Sequence, residues 1–599
     1  MQVTRKLTLA ALALGAATLI AAAPTGPTFG DYGYDAAGAD HSVKPGDDWY
    51  RFANGTWDRT TQIAPDRSSA GGFIKLDDLS KERTRAILEA SASQAAGTPG
   101  RKAGDYYHAF MDENAIEAKG AGPLKAEIAR ISAVRDTREL ARVMGELSRE
   151  GVETPFGFGI GVDDKNPDAY LAEIEQSGLG LPDRDYYLVD KPDYKDTRAK
   201  YATHIARMLR LADYVDPEGN AARIVALETA IARAHWTRVE SRDADKRYNK
   251  MTFADLPARA RGFDWAAFQA GLGTSNLRDL NVAQPSAIAG EAKLIDATPL
   301  GTWKAYLAFK TEKARAAVLP KSFVDEDFAF NGTVLSGTPQ LKVRWKRGVE
   351  QTSEALGEAI GQTYVAQYFP PASKAAADDL VHNILLAMHD RLEHIEWMDP
   401  QTRARALVKL AAFTPKIGYP DKWRDYSRLE VRPDDAYGND ARATAFEFDR
   451  ELRRVADKTD RGEWGMTPMT INAYANPVWN EIVFPAAILQ PPFFDAKADP
   501  AVNYGAIGAV IGHEISHHFD DQGRKYDPTG RLANWWTPGD VERFAKLTDK
   551  LAAQYDQYEP LPGTHIQGKL TLGENIADVV GITVALDAYH KSLPASPRR

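Results

Sequence analysis

His513-Glu514-Ile515-Ser516-His517 decides the reading of this chain. On a helix, residues four apart lie one above the other, so both imidazoles reach the same point. Glu514 projects beside them, where it can hold a water for attack. H-E-x-x-H arises by chance on the order of once in a hundred chains of this histidine content, and an exposed polar helix face is the alternative. Ala506-Ile-Gly-Ala-Val-Ile-Gly512 argues against that alternative, since it predicts a buried, closely packed helix over Asn503–Phe519.

A catalytic zinc takes three protein ligands and keeps one position open. Gly573-Glu-Asn-Ile-Ala-Asp578 supplies the third candidate, with Glu574 and Asp578 on one helix face. Taken alone, that pair reads rather as an ordinary solvated helix face. Beside the histidines, Glu574 can bind the metal, and Asp578 can accept a ligand histidine's free ring N–H. Asp520, three residues after His517, can serve the other histidine.

Further motifs, in order, carry a resemblance. They are Pro45-Gly-Asp-Asp-Trp-Tyr-Arg-Phe-Ala-Asn-Gly-Thr-Trp57, Gly180-Leu-Pro-Asp-Arg-Asp-Tyr-Tyr187, Asn472-Ala-Tyr474, Ile482–Phe494, Val510–Gly523, Asn534-Trp-Trp-Thr537 and the Gly573–Asp578 run. From residue 43 onward the chain resembles the neprilysin family of zinc metallopeptidases. The early motifs and Asn472-Ala473 favour that family over other zincins. The resemblance implies a zincin catalytic domain, mostly helical with a small β component, and a large helical cap enclosing the active-site cavity. It implies His513, His517 and Glu574 as ligands of one zinc per chain, Glu514 as base, and Asp520 and Asp578 as supports of the ligands. Asn472 and Ala473 would bind substrate backbone along an edge strand. Val510, one turn before His513, would face the pocket for the residue after the cut bond. The expected reaction is hydrolysis of short oligopeptides on the amino side of hydrophobic residues.

Outward from the motif, helical periodicity dominates. Val381, Ile384, Leu385, Met388, Leu392 and Ile395 recur at three- and four-residue steps. They predict a helix over Ser373–Trp397, with Ser373 as N-cap and Pro400 as stop. Similar patterns mark Tyr201–Leu211, Ala221–Ala234 and Gly348–Tyr368. After about residue 465 the character changes. Met469–Tyr474 and Asn480–Pro485 read as strands, with Ala475–Val478 as the turn. The expected division is a signal peptide at 1–23, a flexible lead at 24–43, a helical cap domain at 44–465 and the catalytic domain at 466–599. His518 is expected to be structural, His382 and His389 solvated, and Trp535 and Trp536 packed. His565 and His590 gain no role.

Arg5 and Lys6 precede an apolar run from Leu7 to Ala23. This is the pattern of a signal peptide cut near Ala22 or Ala23, with an uncleaved anchor as the alternative. The chain of 599 residues has no cysteine, hence neither disulfides nor a lipid-modified cysteine. A periplasmic or secreted protein without a lasting membrane anchor is expected. Its net charge of −9 gives no basic surface for nucleic acid.

Members of the resembled family continue past the G-E-N-x-A-D helix with a histidine for the oxyanion and an arginine nearby. This sequence stops at Arg599, 25 residues after Glu574, and neither His590 nor Arg598 matches those positions. The second expectation is therefore a truncated, weakly active or inactive zinc- and peptide-binding protein of the same fold. It would expose Val579, Val580, Ile582 and Leu586.

Overall fold

The computed structural model describes residues 27–593; the signal-peptide reading and Arg598 lie outside the described residues. The fold is 58% helix and 8% strand, mostly helical as the sequence predicts. Helix starts move earlier than the apolar periodicity suggests. The observed helices are Pro192–Leu211, Pro217–Ala234, Arg344–Tyr368 and Pro371–Glu393. Three of them begin at a proline, whose missing N–H is not needed in a first turn. For the same reason Ser373 is not a cap, since Pro370 holds that position. Pro400 does not stop this helix either; it opens the next one, Pro400–Ala411.

One core lies within the helical body. The Leu300–Arg315 helix runs through it with Trp303, Tyr306 and Phe309 fully buried against Phe156, Ile205, Ile224 and Phe268. A sheet of order β1-β2-β4-β3 flanks it, from β1 (Phe156–Asp163), β2 (Asn166–Gln176), β3 (Lys250–Thr252) and β4 (Asp279–Val282). A second core surrounds the H-E-x-x-H helix. Ile507, Ile511 and Ile515 pack there with Ile384, Phe484 and Val584. This core also takes Val365–Leu410 residues, which precede position 466 in sequence.

The second sheet has order β5-β7-β6, from β5 (Thr414–Gly418), β6 (Tyr474–Asn476) and β7 (Glu481–Pro485). Central β7 is buried throughout and runs parallel to β5 and antiparallel to β6. The expected strand over Met469–Tyr474 is displaced: β6 starts at Tyr474, because Thr470 N–H already turns back onto the Thr467 carbonyl. The turn slides to Pro477–Asn480. Pro477 has no N–H for a ladder, and Asn480 takes φ = 50°, which asparagine tolerates.

Candidate metal centre

The H-E-x-x-H segment ends a run of helical turns over Pro500–Ser516 that contains one wide π turn, Tyr504–Gly508. The predicted helix end at Phe519 is too late. After Ser516 the chain folds into a tight turn around Asp520, whose Oδ1 accepts from Gln522 N–H (2.8 Å) and Gly523 N–H (2.7 Å). Gly523 permits this: a Cβ there would lie 1.7 Å from the His517 carbonyl oxygen.

The second supporting helix, Leu572–Ser592, crosses the first and brings Glu574 to the histidines. His513 Nε2 and His517 Nε2 lie 2.9 Å apart. Glu574 Oε2 is 3.4 Å from the first and 3.6 Å from the second. On the far side of each ring, His513 Nδ1–H donates to Asp578 Oδ1 and His517 Nδ1–H to Asp520 Oδ2, both at 2.8 Å. In the neutral imidazoles that a metal would take, these bonds fix the tautomer that leaves both Nε2 lone pairs facing the common point. Two imidazole nitrogens and a carboxylate oxygen converging there are a donor set that zinc accepts.

The electrostatics are those of a cation site. Without a metal, the protonated His513 and His517 rings facing Glu574 hold its carboxyl well below the usual carboxylate range. Burial opposes charge on His517, yet the Asp520 and Glu574 carboxylates hold its pKa up at about 10. Glu514 is 6% exposed, and burial pushes its carboxyl upward against the pull of the two imidazoles. The Ala475 backbone N–H on β6 opposes that upward push, so the edge strand lies beside the carboxylate. Asn472 is exposed just before β6, with its side-chain oxygen accepting from Ala473 N–H at 2.9 Å. Val510 is half-buried against the core around the motif helix.

Models of peptidase family M13 match residues 45–420 and 472–598. The chain belongs to peptidase family M13. An endothelin-converting enzyme homolog of Locusta migratoria is 31% identical over 590 residues, covering 93% of this chain and 80% of the relative. The inhibitor complex of the Mycobacterium tuberculosis zinc metalloprotease Zmp1 superposes with TM-score 0.92 and 44% identity, covering 96% of this chain and 88% of that one. The same protease in an open state gives TM-score 0.73 at 45% identity, covering 93% and 88%. M13 membership makes this chain a metalloendopeptidase with a zincin catalytic fold and a large helical part.

Other residues of this M13 peptidase fall where the sequence places them, or were not legible in it. His518 is fully buried against Phe413, its Nε2 facing the Glu481 carbonyl at 3.2 Å, and burial pushes its pKa well below the ordinary value. His382 and His389 are exposed, and Trp535 and Trp536 are packed in the core. On the last helix Val579, Ile582 and Leu586 are exposed, while Val580 is half-buried. Sequence reasoning missed Lys409. It is fully buried, and its ammonium donates to the carbonyls of His518 (2.7 Å), Gly523 (2.8 Å) and Tyr526 (2.7 Å), tying down the turn that carries Asp520. It also missed Ala475, because the register of β6 is set by pairing with β7 and not by a local pattern.

Proposed function

We propose that this protein is an exported endopeptidase that holds one zinc ion through His513, His517 and Glu574 and cleaves short peptides before hydrophobic residues. The convergence of those three side chains beside the buried Glu514 carries the reading. Zinc, when bound there, polarises a peptide carbonyl and acidifies water. Glu514 acts as base and then acid: it takes the proton from the attacking water and delivers it to the leaving amine nitrogen. Asp578 and Asp520 keep both rings oriented throughout. An extended substrate adds to the open edge of β6, with Asn472 and Ala473 taking its backbone and Val510 shaping the pocket for the residue after the cut. The helical part limits access to short oligopeptides, and the open and inhibitor-bound forms of Zmp1 suggest that it swings to admit them.

The basic and apolar N-terminus supports export to the periplasm or medium. Among the described residues, no helix is long and apolar enough to cross a membrane.

A quenched short peptide with an apolar residue after the scissile bond tests the reading, with wild type, Glu514→Ala and a chelator run together. Hydrolysis lost in both controls supports it. An inactive wild type that still holds one zinc per chain would favour the second reading, a peptide-binding protein of the same fold.

A further inference from the structure

The metal centre has a support from the other side of the domain boundary. Arg242 caps the short Arg238–Ser241 helix of the helical part. Its guanidinium reaches out of that part, and its side chain is 28% exposed. Nη1 donates to the Lys569 carbonyl at 2.9 Å, in the segment leading into the Glu574 helix. Nη2 lies 3.4 Å from Asp521 Oδ1, beside the aspartate that orients His517. The two contacts meet at Gly573, next to Glu574. A Cβ on Gly573 would stand 2.9 Å from Arg242 Nη2, 3.0 Å from Asp520 Oδ2 and 3.2 Å from Asp521 Oδ1. The guanidinium therefore occupies the seam between the turn after the first ligand helix and the start of the second.

We propose that Arg242 is a positioning residue for the metal centre: one planar group from the helical part clamps together the two elements that carry the zinc ligands. The proposal rests on the zinc-site reading above. Guanidinium suits the task because its donors diverge in a fixed fork, so one group holds a carbonyl on one element and a carboxylate on the other. Neighbouring contacts join the same two parts without touching the Glu574 helix. Lys525 pairs with Asp245 at 3.1 Å and also with Asp243, and Ala244 N–H donates to Gln522 Oε1 at 3.3 Å. Lys525 is thus a built-in control, an ionic tie across the boundary that spans only one ligand-bearing element. Any opening of the helical part would draw Arg242 out of the seam, linking domain opening to a looser metal site.

The test is zinc release from the full-length protein into excess chelator, followed by a colorimetric indicator, for wild type, Arg242→Gln, Arg242→Lys and Lys525→Gln. Thermal unfolding of each metal-free protein is measured alongside. Loss of a group supporting metal ligands typically costs about 10- to 100-fold in metal affinity. Arg242→Gln should therefore release zinc at least about 10-fold faster. Arg242→Lys should recover only part, because one ammonium cannot serve both elements. Lys525→Gln should stay near wild type. Equal release rates for Arg242→Gln and wild type would overturn the proposal, as would equal acceleration by Lys525→Gln, which would mean that any weakening of the boundary suffices. If Arg242→Gln also lowers the metal-free melting temperature, Arg242→Lys decides: wild-type release from a stable Lys variant overturns the clamp. A wild type that binds no zinc would instead sink the zinc-site reading itself.

Discussion

Gly512 and Gly581 face each other where the two ligand-bearing helices cross. A Cβ on Gly512 would lie 2.6 Å from the Gly581 carbonyl oxygen, and one on Gly581 would lie 2.7 Å from the His513 amide nitrogen. Neither glycine has a positive φ, so close approach is the reason for both. This crossing sets how far Glu574 stands from the histidines. Gly581→Ala should force the helices apart, costing roughly 1–3 kcal/mol of stability as overpacking does. It should also weaken zinc binding by about 10-fold or more, the scale seen when ligand support is disturbed. Urea unfolding and chelator competition check the two effects. A variant with unchanged zinc affinity would show that Glu574 is placed by something other than this contact.

Lys409 makes a second, independent demand on the site. Its three carbonyl partners lie on the turn that carries Asp520; in Lys409→Met those of His518 and Tyr526 lose this donor, while Gly523 keeps the Tyr526 N–H at 3.1 Å. Leaving a buried carbonyl without its donor costs about 1–3 kcal/mol each, so Lys409→Met should cost roughly 2–5 kcal/mol. Arginine should not rescue it, because a planar fork does not match three carbonyls converging on one nitrogen. The denaturation midpoint of the two variants is the measurement. A loss under about 1 kcal/mol, the scale of one ordinary hydrogen bond, would mean that the turn repairs itself without the lysine.

What could be read from the sequence follows from how local each relationship is. His513 and His517 share a face because helical geometry fixes residues four apart, and the same holds for Glu574 and Asp578. The joining of the two pairs was legible only through the resemblance, since 56 residues lie between His517 and Glu574. Lys409 and Arg242 carried no signal. Each acts on carbonyls or carboxylates more than a hundred residues away, and a lone Lys or Arg on a helix reads as solvated surface. The β6 shift has a similar origin: Met469–Tyr474 has strand-like composition, but local turn bonds claim its backbone before β7 can.

Substrate binding along β6 gives a prediction that leaves the metal alone. Asn472 is exposed beside the open edge, and its side-chain oxygen accepts from Ala473 N–H. Asn472→Ala should lower kcat/KM by roughly 10-fold, the worth of about 1.4 kcal/mol of transition-state binding, with zinc content unchanged. Steady-state kinetics with a metal assay on the same samples check it. Unaltered kcat/KM would remove Asn472 from the substrate path.

The last prediction concerns pH and the helical body. Glu312 is fully buried, and neither carboxyl oxygen has a hydrogen-bond partner among the described residues. Burial pushes its pKa well above the ordinary value. The unfolded chain releases this proton near pH 4.3, whereas the folded chain keeps it to higher pH. Between the two values the native state binds the extra proton. Stability from this group is therefore complete below about pH 4.3 and falls by up to roughly 1.4 kcal/mol per pH unit as pH rises toward the folded pKa. Glu312→Gln keeps the shape and has no proton to lose. Its stability relative to wild type should increase from pH 5 to pH 8 in urea unfolding. A difference independent of pH would mean that Glu312 is already ionised in the fold, held by a partner that its burial conceals.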